Sequence, residues 1–497
     1  MIIREAYDYE FSRLDPSGAH IDTAHVAIYE NVMVKGPDWA AHPMLADSWN
    51  VSPDGLVWRV QLRPGVRFHS GAFCDAPAIA SAFDFLRWNL SEAGQLWYWD
   101  PVDTVTAEDA HTLIFRLHHP YSRLPSLLWG THTGIFNEGL RSARTAEFGF
   151  SIIDGTGPFR VTEWSRNRIL ASRWEGYYGM HVPFMENTGP ARADGIEWLS
   201  IRDEQQRLDA LLRGEVDCLH GPPLDSLDTL RADPHLTVIE YPQASNAYLA
   251  LNWTYSQFGF DNSRVRQAIS LGIDRAALVR EALYGRGRPT LGPVPPGDEH
   301  YDPAIDRTSG YDLTRAAKLL DDAGWLVGSD GLRQHNNVRL AFECVCQDDS
   351  IHRRIATGVR DQLKKLGVQL ELRYALPFEA YYDAVAAGPA SFINKWLWQD
   401  PVDAIIGFSA TRGIPFPNWQ HSSIPALDEA YKDWLKAGPP EALTAAAANV
   451  QQIAVQQVPY IPLVTPNDVW VHSKKLHGWK PFAANLYPFY QDAWLEP

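Results

Sequence analysis

The chain has 497 residues, with 44 Lys and Arg against 60 Asp and Glu, a net charge of −16. That length predicts roughly two to four domains around a large core, and 45% apolar with 12% aromatic residues excludes a disordered chain. The acidic balance argues against nucleic acid or an anionic membrane as the main partner, since both reward clustered Lys and Arg. Nineteen tryptophans exceed what a core of this size needs. Most are expected to be core filler; a minority in a cleft would serve as stacking platforms for a ligand.

No run approaches the roughly 20 apolar residues of a membrane helix. The opening Met1-Ile2-Ile3-Arg4-Glu5 is polar and strand-like, not a secretory signal, so the protein is either cytoplasmic or has lost a leader. In Trp58–Arg63 apolar and polar residues alternate, and Thr112–His118 repeats the period with Leu113, Phe115 and Leu117 inward. Between them Asp75 caps a predicted helix with Ile79, Phe83, Leu86 and Leu90 on its apolar face and Pro77 in its first turn. This third of the chain reads as a β-rich lobe with helical cover.

From about residue 155 strands and helices alternate, as in an α/β lobe. Helices are predicted over 204–212, stopped by Gly214; over 265–283, ending at Gly285; and over 313–323, capped by Asp312 and closed by Gly324. A helix over 351–366 stops at Gly367 and is followed by the strand 368–372, and a helix over 442–458 precedes a strand over 459–464. Cys344 and Cys346 lie two apart on an apolar strand, so buried free thiols are expected rather than a bridge or a metal site. No linker separates the lobes, so they are expected to be joined by crossing strands.

Catalytic and cofactor signatures fail in turn. There is no G-x-x-x-x-G-K-[ST] loop and no H-E-x-x-H; Gly155-Thr156-Gly157 lacks a third glycine, and Gly407-Phe408-Ser409-Ala410-Thr411 lacks the last glycine of a nucleophile elbow. His118 and His119 are adjacent on a strand and point to opposite faces, a poor ligand pair. Asp400 and Asp403 beside Trp396 and Trp398 leave a glycoside hydrolase as the competing class, against the plainer reading of Asp400 as a turn carboxylate before Pro401.

The stretch Leu45-Ala46-Asp47-Ser48-Trp49-Asn50-Val51-Ser52-Pro53-Asp54-Gly55, continuing into Leu62-Arg63-Pro64-Gly65-Val66-Arg67-Phe68-His69-Ser70-Gly71, closely resembles the signature of the family 5 extracytoplasmic solute-binding proteins of ABC importers, which bind peptides, opines, nickel and oligosaccharides. Leu14-Asp15-Pro16, Gly155-Thr156-Gly157-Pro158-Phe159, Arg264-Val265-Arg266-Gln267-Ala268-Ile269, Asp274-Arg275 and Ala323-Gly324-Trp325 resemble the family in the same order. The resemblance implies an α/β, two-lobed periplasmic-binding-protein fold of the large class II-like kind, with a small α+β domain inserted in the first lobe. The expected boundaries are 1–35, 155–243 and 463–497 for lobe I, 36–154 for the insert and 244–462 for lobe II. It further implies a periplasmic or extracytoplasmic monomer whose leader has been removed. Such a protein takes a small solute into an interlobe cleft by hinge closure and passes it to a membrane permease, with no enzymatic activity, cofactor, metal or nucleic acid.

In peptide-binding relatives an aspartate of lobe II holds the peptide ammonium, in a pattern resembled here by Lys395-Trp396-Leu397-Trp398-Gln399-Asp400-Pro401, with Leu397 at the anchoring position. Leucine cannot compensate an ammonium, so the ligand expected is a ring-containing solute, an oligosaccharide or an opine-like conjugate, with peptide as the alternative. A shift of a few residues would restore the charge through Asp400 or Asp403. Trp396 and Trp398, with Trp97, Tyr98 and Trp99 of the insert, are the expected stacking groups, ordinary core being the alternative for each. Asn246, Tyr248 and Asn252 would add directional hydrogen bonds; Asn418, Trp419 and His132 are further candidates.

Overall fold

The computed structural model describes all residues except 19–22, 90–98, 297, 308–309, 376–377, 394–401, 403–408, 415–417, 439 and 485–486. The chain forms two units, Met1–Tyr241 with Asp468–Pro497, and Pro242–Asn467. It passes between them twice, and both passages fall inside strands, Leu236–Pro242 and Ile461–Ser473.

In the first unit, Ile2–Tyr7 lies between two parallel neighbours, Gly195–Ser200 and Cys218–His220. Antiparallel strands continue the sheet, Arg168–Arg173 and Phe159–Ser165 on one side and the second half of Ile461–Ser473 on the other. Parallel neighbours need long connections. The one from Tyr7 to Gly195 contains a four-stranded antiparallel sheet ordered Ala46–Val51, Val57–Leu62, Thr112–Leu117, Val102–Ala107. The expected inward residues Trp58, Val60, Leu62, Leu113, Phe115 and Leu117 are all buried there. Helix Ala76–Asn89 packs on this sheet through Ile79, Phe83 and Leu86, and Asp75 Oδ1 accepts the Ala78 N–H at 3.1 Å. Leu90, the last member of that expected face, lies outside the described residues. Gly155 and Gly157 are explained by close approach: a Cβ would meet the Ile28 carbonyl at 2.1 Å and the Ala27 carbonyl at 2.5 Å.

In the second unit, Ala341–Gln347 is parallel to both Gln369–Ala375 and Ala390–Ile393, and Ala247–Leu251 with the first half of Ile461–Ser473 extends the sheet antiparallel. Cys344 and Cys346 are buried free thiols on its apolar face. The expected helix–glycine–strand unit is present as Ser350–Lys365, Gly367 at φ 81° and Gln369–Ala375. The single helix predicted over 265–283 is instead two, Ser263–Leu271 and Arg275–Ala282. The break is chemical: Asp274 leaves helical geometry to cap the second helix, its Oδ1 accepting the Ala277 N–H at 2.9 Å. Among the described residues no helix is long and apolar enough to cross a membrane.

Two buried arginines tie these helices down. Arg266 donates to the carbonyls of Phe260 at 2.8 Å, Gln457 at 2.7 Å and Val458 at 3.0 Å, and its guanidinium lies 3.7 Å from the Trp253 ring centre. Gln457 ends the helix Pro440–Gln457, so Arg266 supplies donors to carbonyls that have lost their intrahelical partners. Arg275 does the same for Ser270 O at 3.0 Å and adds Thr290 O at 3.1 Å and Pro462 O at 2.8 Å. Replacing Arg266 by Leu is expected to deprive the buried carbonyls of Phe260 and Val458, and the part-buried one of Gln457, of this donor and to lower the unfolding free energy in urea by about 3 kcal/mol. Lys, with one point of attachment, recovers less than half; a loss under about 1 kcal/mol contradicts this role.

Candidate functional site

Register across the first unit's sheet aligns side chains from four strands into two rows. In one, Glu5 stands between Trp198 and Cys218, and Cys218 stands beside His472. Two residues further along, on the same face, Ser200, Tyr7, His220 and Trp470 follow.

Glu5 is fully buried and accepts hydrogen bonds from Tyr490 Oη at 2.9 Å, Trp479 Nε1 at 3.1 Å and Cys218 Sγ at 3.4 Å. Tyr490 also accepts from Trp198 Nε1 at 3.1 Å and shares a 2.9 Å hydrogen bond with Thr23, which accepts from Tyr7 Oη at 2.7 Å. These donors favour the carboxylate, yet burial dominates and pushes Glu5 up from 4.5 to about 7.

The second row closes at the carboxyl ends of parallel strands, where open α/β sheets bind their ligands. His220 is held at Nε2 by Asp468 at 2.9 Å, has Asp8 3.8 Å from Nδ1, and packs against the Tyr7 and Trp470 rings at 5.8 and 4.5 Å. Trp470 Nε1 donates to Tyr241 Oη at 2.8 Å. Just past the strand, half-buried Asp8 and Tyr9 remain partly open, Tyr9 packing on Tyr7 at 5.2 Å. At this end of the sheet the half-buried Asp8 and Tyr9 therefore lie in front of buried Tyr7, His220 and Trp470, an arrangement of a carboxylate and rings suited to holding a polar, ring-bearing or cationic group. Among the described residues no group of three or more His, Cys, Asp and Glu side chains could hold a metal ion.

Of the residues singled out from the sequence, Trp97, Tyr98, Trp396, Leu397, Trp398 and Asp400 lie outside the described residues. Trp99 is buried against Phe83, ring centres 5.4 Å apart. His132 is buried in the short turn Thr131–Thr133, and Trp419 is 1% exposed. Tyr248 packs on Tyr460 at 4.7 Å. The three asparagines are engaged with their own unit. Asn246 donates to Gly292 O and Pro293 O at 3.2 and 3.1 Å and accepts from Thr465 Oγ1 at 2.6 Å. Asn252 donates to Gly388 O at 3.2 Å and accepts from Thr254, and Asn418 donates to Ala410 O and Ser422 O at 2.9 and 2.7 Å. Sequence reasoning missed Glu5, His220 and Asp468. One signal was present: Glu5 shares a strand face with Ile3 and Tyr7, so a carboxyl sits on the apolar side.

Glu5 makes stability pH-dependent. It titrates near 4.5 unfolded and near about 7 folded, so its contribution is full below 4.5 and is lost as pH rises through 7, by about 3 kcal/mol. Glutamine fits the same space, donating to Tyr490 with the hydroxyl chain to Thr23 and Tyr7 reversed. Glu5→Gln is therefore expected to shrink the difference in unfolding free energy between pH 5 and pH 8 by about 2.5 kcal/mol relative to wild type; an unchanged difference contradicts a buried neutral acid.

A model of the bacterial extracellular solute-binding proteins, family 5, middle region, matches residues 40–413. The chain is 25% identical over 502 residues to the glutathione-binding protein GsiB of Salmonella paratyphi A (strain ATCC 9150 / SARB42), covering 94% of this chain and 90% of that protein. The oligopeptide-binding protein AppA of Bacillus subtilis, solved with a nonapeptide, superposes with a TM-score of 0.88 at 19% identity, covering 100% of this chain and 99% of that one. AgaA of A. tumefacien R10, solved with agropinic acid, gives 0.86 at 18% identity, covering 100% and 99%. The two-unit α/β architecture is the two-lobed fold of these neighbours. With the family match running over most of its length, this chain belongs to the bacterial extracellular solute-binding proteins, family 5.

Proposed function

We propose that the chain is the extracytoplasmic, monomeric solute-binding component of an ABC importer. In this reading it captures a small ring-containing solute, an opine-like conjugate or an oligosaccharide, by hinge closure and delivers it to a membrane permease. The observation that carries the ligand class is Leu397 between Trp396 and Trp398: an apolar side chain where peptide binders that resemble this stretch place an ammonium-binding aspartate. An unpaired ammonium there is costly, whereas two indoles suit a ring. AgaA, solved with agropinic acid, supports the opine-like form of the reading. Trp97 and Tyr98 are further proposed stacking groups; Trp99, Tyr248, His132, Trp419, Asn246, Asn252 and Asn418, each buried within its own unit, would support the site from behind, and Asp400 serves as a turn or contact carboxylate, not as a hydrolytic acid.

Peptide is the second reading, favoured by the glutathione-binding relative that aligns with 94% of this chain and by AppA with its nonapeptide. A thermal-shift screen of opines, oligosaccharides, glutathione and short peptides separates the two, because a ligand that binds only the folded state raises Tm by mass action. Opines or sugars are expected to raise it and linear peptides to leave it unmoved; the reverse pattern overturns the argument from Leu397. With the ligand so found, Trp396→Ala is expected to weaken binding at least tenfold, about 1.4 kcal/mol, by calorimetry and without unfolding the protein. Unchanged affinity removes Trp396 from the site.

A further inference from the structure

The unit Pro242–Asn467 contains a cavity of about 160 Å³ lined by none of the residues proposed above. It opens between helix Ser263–Leu271, the end of helix Pro440–Gln457 and the turn at 291–293. Its wall is mixed, about half apolar, the apolar part made mainly by Leu271, Leu291, Pro293, Val455, Val458 and the Tyr460 ring. Three of its polar neighbours are already engaged: Ser270 Oγ accepts from Arg275 Nη2 at 2.9 Å, Gln267 Nε2 donates to Gln456 O at 3.0 Å, and Tyr460 packs on Tyr248. The fourth is different. Arg315, in the first turn of helix Leu313–Asp322, lines the cavity and is exposed, and among the described residues its guanidinium has no hydrogen-bond or ion-pair partner.

Size, wall and charge together select a ligand. An apolar cavity of about 150 Å³ accommodates benzene, so the space here suits one small ring. A ring alone would leave the arginine unpaired, and a multiply charged anion would set its further charges against the apolar half of the wall, where Arg315 is the one cation among the described lining residues. A carboxylate matches the planar fork of the guanidinium. We propose that this cavity binds a monocarboxylate carrying a single apolar ring, with the ring against Leu271, Leu291 and Val455 and the carboxylate on Arg315. The position has a structural consequence. Tyr460 of the wall packs on Tyr248 at 4.7 Å, and Val458 stands at a left-handed φ of 50°, held by the hydrogen bond from Arg266 to its carbonyl. An occupant therefore touches a strained turn at the entrance to the strand Ile461–Ser473.

Benzoate titrated calorimetrically into the whole chain tests this, with benzyl alcohol as the uncharged control and methyl NMR of leucine and valine as the locator. Benzoate is expected to bind one per chain and to shift the methyls of Leu271, Leu291 and Val455, with benzyl alcohol at least tenfold weaker. Arg315→Gln should weaken benzoate at least tenfold and Val455→Trp, which fills the cavity from a half-buried position, should remove it, both variants melting within a few degrees of wild type. Trp396→Ala should leave it unchanged. Absence of saturable binding, equal affinity for benzyl alcohol, unmoved methyls, or loss in Trp396→Ala but not in Arg315→Gln overturns the proposal.

Discussion

The strand Ile461–Ser473 must satisfy two cores at once, and the rest of the fold is arranged around that demand. Its first half pairs with Ala247–Leu251 and Gly287–Pro289, its second with Cys218–His220. It is buried over nearly all its length, so it reads as a continuous apolar run broken by a polar middle rather than as an alternation. Each polar residue of that middle has a partner inside its own unit. Thr465 donates to Asn246 and shares a 2.7 Å hydrogen bond with Thr290, and Asp468 holds His220. Pro462 and Pro466 lack an N–H, and their carbonyls accept from Arg275 and Gln243 at 2.8 and 2.9 Å. A chain passage built this way keeps its polar groups paired on both sides of residues 467 and 468.

The same accounting explains why the family-like motifs contain the residues they do. Arg266 and Arg275 belong to stretches recognised by resemblance, and each closes backbone carbonyls that a helix end or an irregular turn leaves without a donor. Arg207 in the first unit acts alike, donating to His220 O at 3.0 Å and to Ile201 O at 2.6 Å. Arg333 donates to Leu366 O at 2.8 Å and Trp325 O at 2.6 Å. These charges are buried without a carboxylate beside most of them, so their value lies in fixing where helices stop. The glycines of the 155–157 motif have an equally local reason, the backbone of residues 27 and 28 passing against them.

What the sequence made legible was local. Period-two alternation identified Val57–Leu62 and Thr112–Leu117, and caps at Asp75, Asp312, Gly214 and Gly367 placed helix ends within a residue or two, because these signals depend on neighbours along the chain. The split at Asp274 was hidden because the apolar spacing continues across it while a single cap interrupts the backbone. The His220–Asp468 pair joins residues 248 apart, and nothing in either segment announces the other. Asn246, Asn252 and Asn418 were legible as polar groups on buried elements, but their partners at Gly292, Gly388 and Ala410 exist only once the chain is folded. Glu5 was read as a polar strand residue, although its face belongs to the core.

The membership in a family of solute-binding proteins supports the proposed role of a carrier that holds its solute and returns it unaltered. Equilibrium dialysis of the purified chain against its solute, followed by denaturation and chemical analysis of what is released, tests this most directly. One solute per chain is expected, recovered chemically unchanged however long the incubation. Recovery of a hydrolysed product, accumulating with time and in excess of the protein, would contradict it.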